Sequence, residues 1–224
     1  MNYDQVIKRL KSLKNPKNVE GMARFGINPK NTLGISIYVL RPLAKEISKN
    51  HNLALNLWKS SIHEARILAS YIDEVDKVTE AQMDEWVADF DSWDICDQVI
   101  SNLFDQTPHA YKKAFEWSKR KPEFEKRAGF VMMAALSVHD KSATDAKLLK
   151  FFPVIKREAT DGRNFVRKAV NWSLRNIGKR NRALNKQAII VAKVLAESED
   201  KTARWIGKDA LRELTSKKVQ ARLA

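Results

Sequence analysis

The sequence predicts an all-α chain arranged as a solenoid of stacked antiparallel helix pairs, and three observations lead there. Apolar residues recur at helical spacing along almost all of the 224 residues. Turn formers are scarce: 7 Gly and 6 Pro stand against roughly 16 and 11 expected at average usage, which favours long helices and short connections. Three basic stretches, at residues 125–130, 166–172 and 202–207, align on Arg127, Lys168 and Arg204 at spacings of 41 and 36, each preceded by a more polar helix. That raggedness suits degenerate HEAT-like pairs, whose period is about 40 to 47 residues. The expected product is one domain over residues 1–224 with a concave basic groove. A compact irregular helical bundle is the competing architecture.

The elements follow in order. Val6, Leu10 and Leu13 make the first stripe, which ends at an Asn15-Pro16 break. A short segment at 19–25 precedes a Gly/Asn/Pro-rich loop at 26–31. Leu40, Leu43, Ala44 and Ile47 mark a helix with Pro42 near its first turn, where a missing N–H does no harm. Residues 53–58 and 62–72 form the next pair. Thr79-Glu80-Ala81-Gln82 reads as a capping box opening a helix through Trp86, Val87 and Phe90. Ser92 stands where it caps a helix running from Trp93 through Val99, Ile100 and Leu103. Thr107-Pro108 supplies an N-cap and an N1 proline for a helix that ends before Pro122. Residues 34–40 are rich in β-branched side chains, yet no strand pattern of comparable quality appears. Trp58, Trp117 and Trp205 are assigned to packing, as are Trp86, Phe90, Met132, Met133 and Leu136.

Composition narrows the function. Hydrophobic content of 44% with 30% charged residues describes a folded chain able to bury a substantial core. The single Cys96 cannot form an internal disulfide, which suits a reducing compartment. No basic-then-apolar leader opens the sequence, and the longest apolar run, near residues 130–136, falls short of the about 20 residues a membrane span needs. A cytoplasmic monomer without membrane association is expected. Of the net charge of +14, most lies in residues 163–224, where 16 Lys or Arg face 5 acids. A basic, aromatic-bearing C-terminal third is the electrostatic footprint of a phosphate backbone. Residues 73–91 run the other way, with 8 acids and only Lys77 opposing them.

Several chemistries find no support. His51, His63, His109 and His139 are scattered without metal-ligand spacing. No Gly-rich phosphate loop and no nucleophile elbow occurs. Cys96 sits between Asp94 and Asp97, and neighbouring carboxylates disfavour a thiolate. What remains is Trp93 with Asp97, four residues apart on one helical face, and Trp172 with Arg175 on another helix. The plainer alternative is a core Trp beside a solvated Asp. Together the four offer an anion, two π faces and a phosphate-binding guanidinium. An aromatic face attracts a cation by about 0.5 to 2 kcal/mol, and a nearby carboxylate adds to it. A purine alkylated at N3 or N7 is a cationic base on a polyanion, and its charge makes it a good leaving group. As its glycosidic bond breaks, positive charge passes to the sugar, where a fixed carboxylate stabilises it and positions water.

At this point the sequence resembles the HEAT-like-repeat DNA alkylation repair glycosylases, the AlkD type. The resemblance is carried by residues 21–25 (Gly-Met-Ala-Arg-Phe), Ser92 to Asp97, Lys126-Arg127-Ala128, and 165–175, in the family's order. It implies a solenoid gripping duplex DNA that contains alkylated bases, and excision of 3- or 7-alkylpurines without a cofactor or metal. It implies Asp97 as the catalytic carboxylate and Trp93 and Trp172 as flanking aromatics. It also implies backbone contacts from Arg127 and Arg175, with Lys168 and Phe25 on the DNA-binding side, and cleavage without burying the lesion in a pocket. Phe25 stands where the family carries a tyrosine, and Ser92 where some members carry a second Trp. A catalytically silent DNA-binding or scaffolding solenoid is the second reading. It differs by releasing no base.

Overall fold

The computed structural model describes residues 1–223 and is all-helical: fifteen α-helices and two 3-10 turns, with no strand among the described residues. The chain divides by contacts into two compact units, residues 1–107 and residues 108 onward. The first holds α1 (Tyr3–Ser12), α2 (Pro16–Arg24), α3 (Ile37–Ile47), α4 (His51–Lys59), α5 (His63–Ile72), α6 (Glu80–Ala88) and α7 (Trp93–Asn102). The second holds α8 (Ala110–Trp117), α9 (Glu123–His139), α10 (Asp145–Leu149), α11 (Phe151–Glu158), α12 (Asn164–Gly178), α13 (Arg182–Ala196), α14 (Lys201–Leu214) and α15 (Lys217–Arg222).

In the first unit α5 is the central helix, with nearly every residue buried. It packs against α3, α4 and α7, while α1 covers α4 and α5. Trp58 of α4 lies parallel to Trp86 of α6, their ring centroids 4.1 Å apart, so these two large apolar planes join α4 to α6. The acidic stretch is absorbed here. Asp89 accepts from Trp58 Nε1 at 2.9 Å and from Arg66 Nη2 at 3.1 Å. Asp73, fully buried, takes Gln82 Nε2 at 2.6 Å and lies 2.6 Å from His51 Nδ1. These carboxylates hold helices together.

The second unit carries the repeat. The aligned residues Arg127, Lys168 and Arg204 fall on α9, α12 and α14, and α12 packs against both of the others. A second row, α11 and α13, backs this one. Gly207 sets the spacing of α13 and α14: a Cβ there would lie 2.2 Å from Ala196 N and 2.6 Å from Ala192 O. Backbone atoms cannot yield as side-chain tips can. Gly207→Ala therefore destabilises the chain by about 2 kcal/mol despite alanine's helix advantage of about 1 kcal/mol, as urea unfolding will measure.

Several starts differ from the expected ones, each for a local reason. Pro16 begins α2 as its N1 residue, with Asn15 as cap, so the helix starts before residue 19. Ser36 caps α3 from Ile37, which leaves Pro42 inside the helix and makes residues 37–40 its first turn. Thr79 does cap α6, accepting from Gln82 N at 3.1 Å, but the Gln82 side chain turns to Asp73 instead of completing a capping box. Thr107 spends its hydroxyl on Phe104 O at 2.8 Å, and α8 begins two residues after Pro108. Trp58, Trp86 and Trp117 are core, as expected, whereas Trp205 is 38% exposed with the Arg167 guanidinium 5.0 Å above its ring.

Candidate active site

On α7 the residues Ile95, Cys96, Val99 and Ile100 are buried, while Trp93, Asp94, Asp97 and Gln98 are half-buried. At 100° per residue the first set faces the core and the second shares the opposite face. Trp93 and Asp97 thus leave the core side together. Trp93 is fixed by its own indole N–H, which donates to Phe25 O at 3.0 Å. The Phe25 ring is 76% exposed.

The start of α7 is held from outside its own helix. Ser92 makes no side-chain cap bond; its hydroxyl accepts from Asn28 N at 2.8 Å, and Asp91 accepts from Asn28 Nδ2 at 2.7 Å. Behind the loop, Glu64 is fully buried and accepts from Leu33 N, Gly34 N and Ile35 N at 2.8, 2.7 and 3.1 Å. Gly34 (φ +79°) approaches the Asn15 carbonyl so closely that a Cβ would stand 2.2 Å from its oxygen. Loop, α2 and α7 are therefore stitched by hydrogen bonds more than by apolar contact.

His63 and Asp94 were not singled out by sequence. They lie 31 residues apart, and His63 Nε2 sits 2.8 Å from Asp94 Oδ2 with the imidazole 3% exposed. Burial, the largest influence, pulls His63 down. The Asp94 hydrogen bond and the negative charges of Asp94, Glu64 and Asp91 together outweigh it, and His63 titrates above the ordinary 6.5. A raised folded-state value contributes stability in full below about pH 6.5 and loses it as pH climbs through that raised value. The stability advantage of the wild type over His63→Gln is accordingly larger near pH 6 than near pH 8.5 in urea titrations.

The other expected site residues belong to the second unit. Arg127 is 5% exposed, and its Nη1 donates to Phe165 O at 2.8 Å. Glu123 accepts from Phe165 N at 3.1 Å, and the Phe124 and Phe165 rings lie 5.3 Å apart. Lys126 reaches Glu158 at 2.6 Å and Asp161 at 3.3 Å. Arg163, with the Lys126 pairing a lesser contributor, holds Asp161 down at about 2 although burial opposes it. The Lys126-Arg127 element thus ties α9 to the end of α11, the loop after it and the start of α12, a structural task its sequence did not announce. Along α12, Lys168 is exposed and Trp172 half-buried. Arg175 pairs with Glu213 at 2.5 Å and Asp209 at 3.7 Å, so a phosphate must compete with two carboxylates for it.

Among the described residues no group of three or more His, Cys, Asp or Glu could hold a metal ion, and no described helix is long and apolar enough to cross a membrane.

Residues 6–214 match the family model described as DNA alkylation repair enzyme. A solved structure from "a new family of proteins related to the HEAT-like repeat DNA glycosylases with affinity for branched DNA structures" is similar over 100% of this chain and 96% of its own, with a TM-score of 0.79 and 19% identity. At that identity the likeness speaks for the fold. Among curated proteins none matches.

Proposed function

We propose, given that this chain belongs to the DNA alkylation repair enzyme family, that it is a monofunctional DNA glycosylase acting on cationic 3- or 7-alkylpurines in duplex DNA. The observation that carries this reading is the facing of α7: Trp93 and Asp97 share the half-buried side of a helix whose remaining face is core. In this reading the C1′–N bond of the alkylated nucleotide breaks heterolytically and its electron pair leaves with the base, neutralising it. Asp97 stabilises the oxocarbenium-like sugar and takes a proton from the water that adds at C1′. Trp93 offers a π face to the cationic base. Lys168 works on the backbone, and Arg175 does so in exchange for Glu213 and Asp209; Arg127, buried against Phe165 O, holds the fold that presents them. Only water is consumed.

Incubation with methylated duplex DNA tests it: free 3-methyladenine and 7-methylguanine are expected above the spontaneous rate. Duplex binding should weaken with salt, and Lys168→Gln should lower the slope of log affinity against log salt by about 1.

A second reading has an observation behind it. The similar solved protein is described by its affinity for branched DNA structures, which supports a chain that binds DNA and releases no base. Tight, salt-sensitive binding with no base release would select it.

A further inference from the structure

We propose that the solvent side of α14, centred on Trp205, binds an unpaired single-stranded arm of DNA. The proposal rests on the DNA-binding part of the reading above and on none of its catalysis. Every residue it uses lies within the second unit.

α14 buries Thr202, Ala203, Ile206, Gly207, Ala210 and Leu214, and its exposed residues are Lys201, Trp205, Lys208 and Arg212. At 100° per residue those four fall within about 60° of one another, opposite the buried set. An indole thus stands in the middle of a stripe of cations. Arg212 is bonded to Asp209, whereas the Lys201 and Lys208 side chains have no hydrogen bond or ion pair among the described residues. A tryptophan that the core required would be buried, as Trp58, Trp86 and Trp117 are. Trp205 is instead 38% exposed, and the Arg167 guanidinium 5.0 Å from its ring centroid holds its orientation.

The stripe continues a side of the unit that already carries charge. Arg167 with Trp205, Asn171 with Asp209 and Arg175 with Glu213 are all paired at one offset of 38 residues, so α12 and α14 run side by side in the same direction. Lys168 stands opposite the buried face of α12 as Trp205 stands opposite that of α14. A strand leaving a duplex held at Lys168 therefore has α14 as the next helix to cross.

The indole selects the single strand. Lysines alone take any phosphate backbone. An exposed ring adds affinity only where the ligand turns a flat face outward. In a duplex those faces are stacked inside, whereas each unpaired base can present one, and aromatic rings among cations hold single strands without regard to sequence. No base is drawn out of a duplex here, because the arm arrives unpaired.

The test uses the full chain and three DNAs with the same duplex: a fork with an arm of about ten dT, a fork whose arm is all tetrahydrofuran abasic spacers, and a blunt end. The dT fork is expected to bind about tenfold tighter than the abasic fork. Trp205→Leu keeps an apolar side chain without a π face. It should erase that preference while binding the blunt duplex as the wild type does, and Trp205→Phe should retain about threefold of it. Equal wild-type affinity for the two forks, with salt-sensitive duplex binding intact, overturns the stacking surface and spares the duplex reading. A preference that survives in Trp205→Leu overturns the role of Trp205, and equal losses in the Leu and Phe variants overturn stacking as its cause. Failure to bind any of the three DNAs at low salt overturns both readings.

Discussion

Asp97→Asn lowers release of 7-methylguanine from methylated duplex DNA by about 10²- to 10³-fold, the cost of removing one preorganised electrostatic group from a transition state. The substitution keeps the side chain's size and removes only its charge. The ground-state base is already cationic, but the charge that decides the rate develops on the sugar, and an amide dipole cannot offset it as a carboxylate does. Duplex affinity moves the other way, rising slightly, because one anion fewer faces the phosphates. Single-turnover excision beside an equilibrium binding curve separates these two effects. Trp93→Ala, by contrast, removes a cation–π contact worth about 0.5 to 2 kcal/mol and slows release only about 3- to 30-fold. Undiminished release by Asp97→Asn removes the mechanism, whatever the fold.

Glu64→Ala lowers stability by about 3 to 6 kcal/mol. Glu64 is fully buried and accepts from three consecutive backbone N–H groups at residues 33–35. Deleting it strips those donors of the carboxylate, at about 1 to 3 kcal/mol for each one left buried. For a chain of this length each kcal/mol shifts Tm by about 2 to 4 °C, so a fall of roughly 10 to 20 °C follows. Glu64→Gln keeps one acceptor oxygen but turns an amide N–H₂ toward a donor, and should lose about half as much. A thermal melt of the three proteins decides it, and a loss below about 1 kcal/mol for the alanine variant would show that the loop is anchored elsewhere.

Much of the fold was legible because it depends on periodicity. The stripes of α1, α4 and α5, the aligned stretches on α9, α12 and α14, and the core placing of Cys96, Trp58 and Trp117 all follow from where apolar residues recur. What sequence missed depends on partners distant along the chain. Ser92 has the residue type and the position of a cap, yet its hydroxyl serves Asn28, 64 residues away. Thr107 and Gln82 likewise obey local rules only in part, since Phe104 and Asp73 claim their side chains. Trp205 has helical spacing and still stands at the surface, where Arg167 covers its ring. For the candidate site, Trp93 with Asp97 was readable as an i,i+4 pair. His63 with Asp94 was not, because a histidine and an aspartate 31 residues apart carry no pattern until α5 and α7 are packed.

The way α2 is attached has a kinetic consequence. No residue of α2 is buried, and its neighbourhood is fastened by a few hydrogen bonds near its ends: Asn15 N to Leu33 O at 2.7 Å, Asn18 Nδ2 to Gly34 O at 3.0 Å, and the Trp93 indole to Phe25 O. Without buried side chains, little apolar area is exposed when the segment lifts away, so its opening lies far below the free energy of global unfolding. Its amide protons therefore exchange with solvent long before those of α5, and the first unit fluctuates at one edge while its centre stays closed.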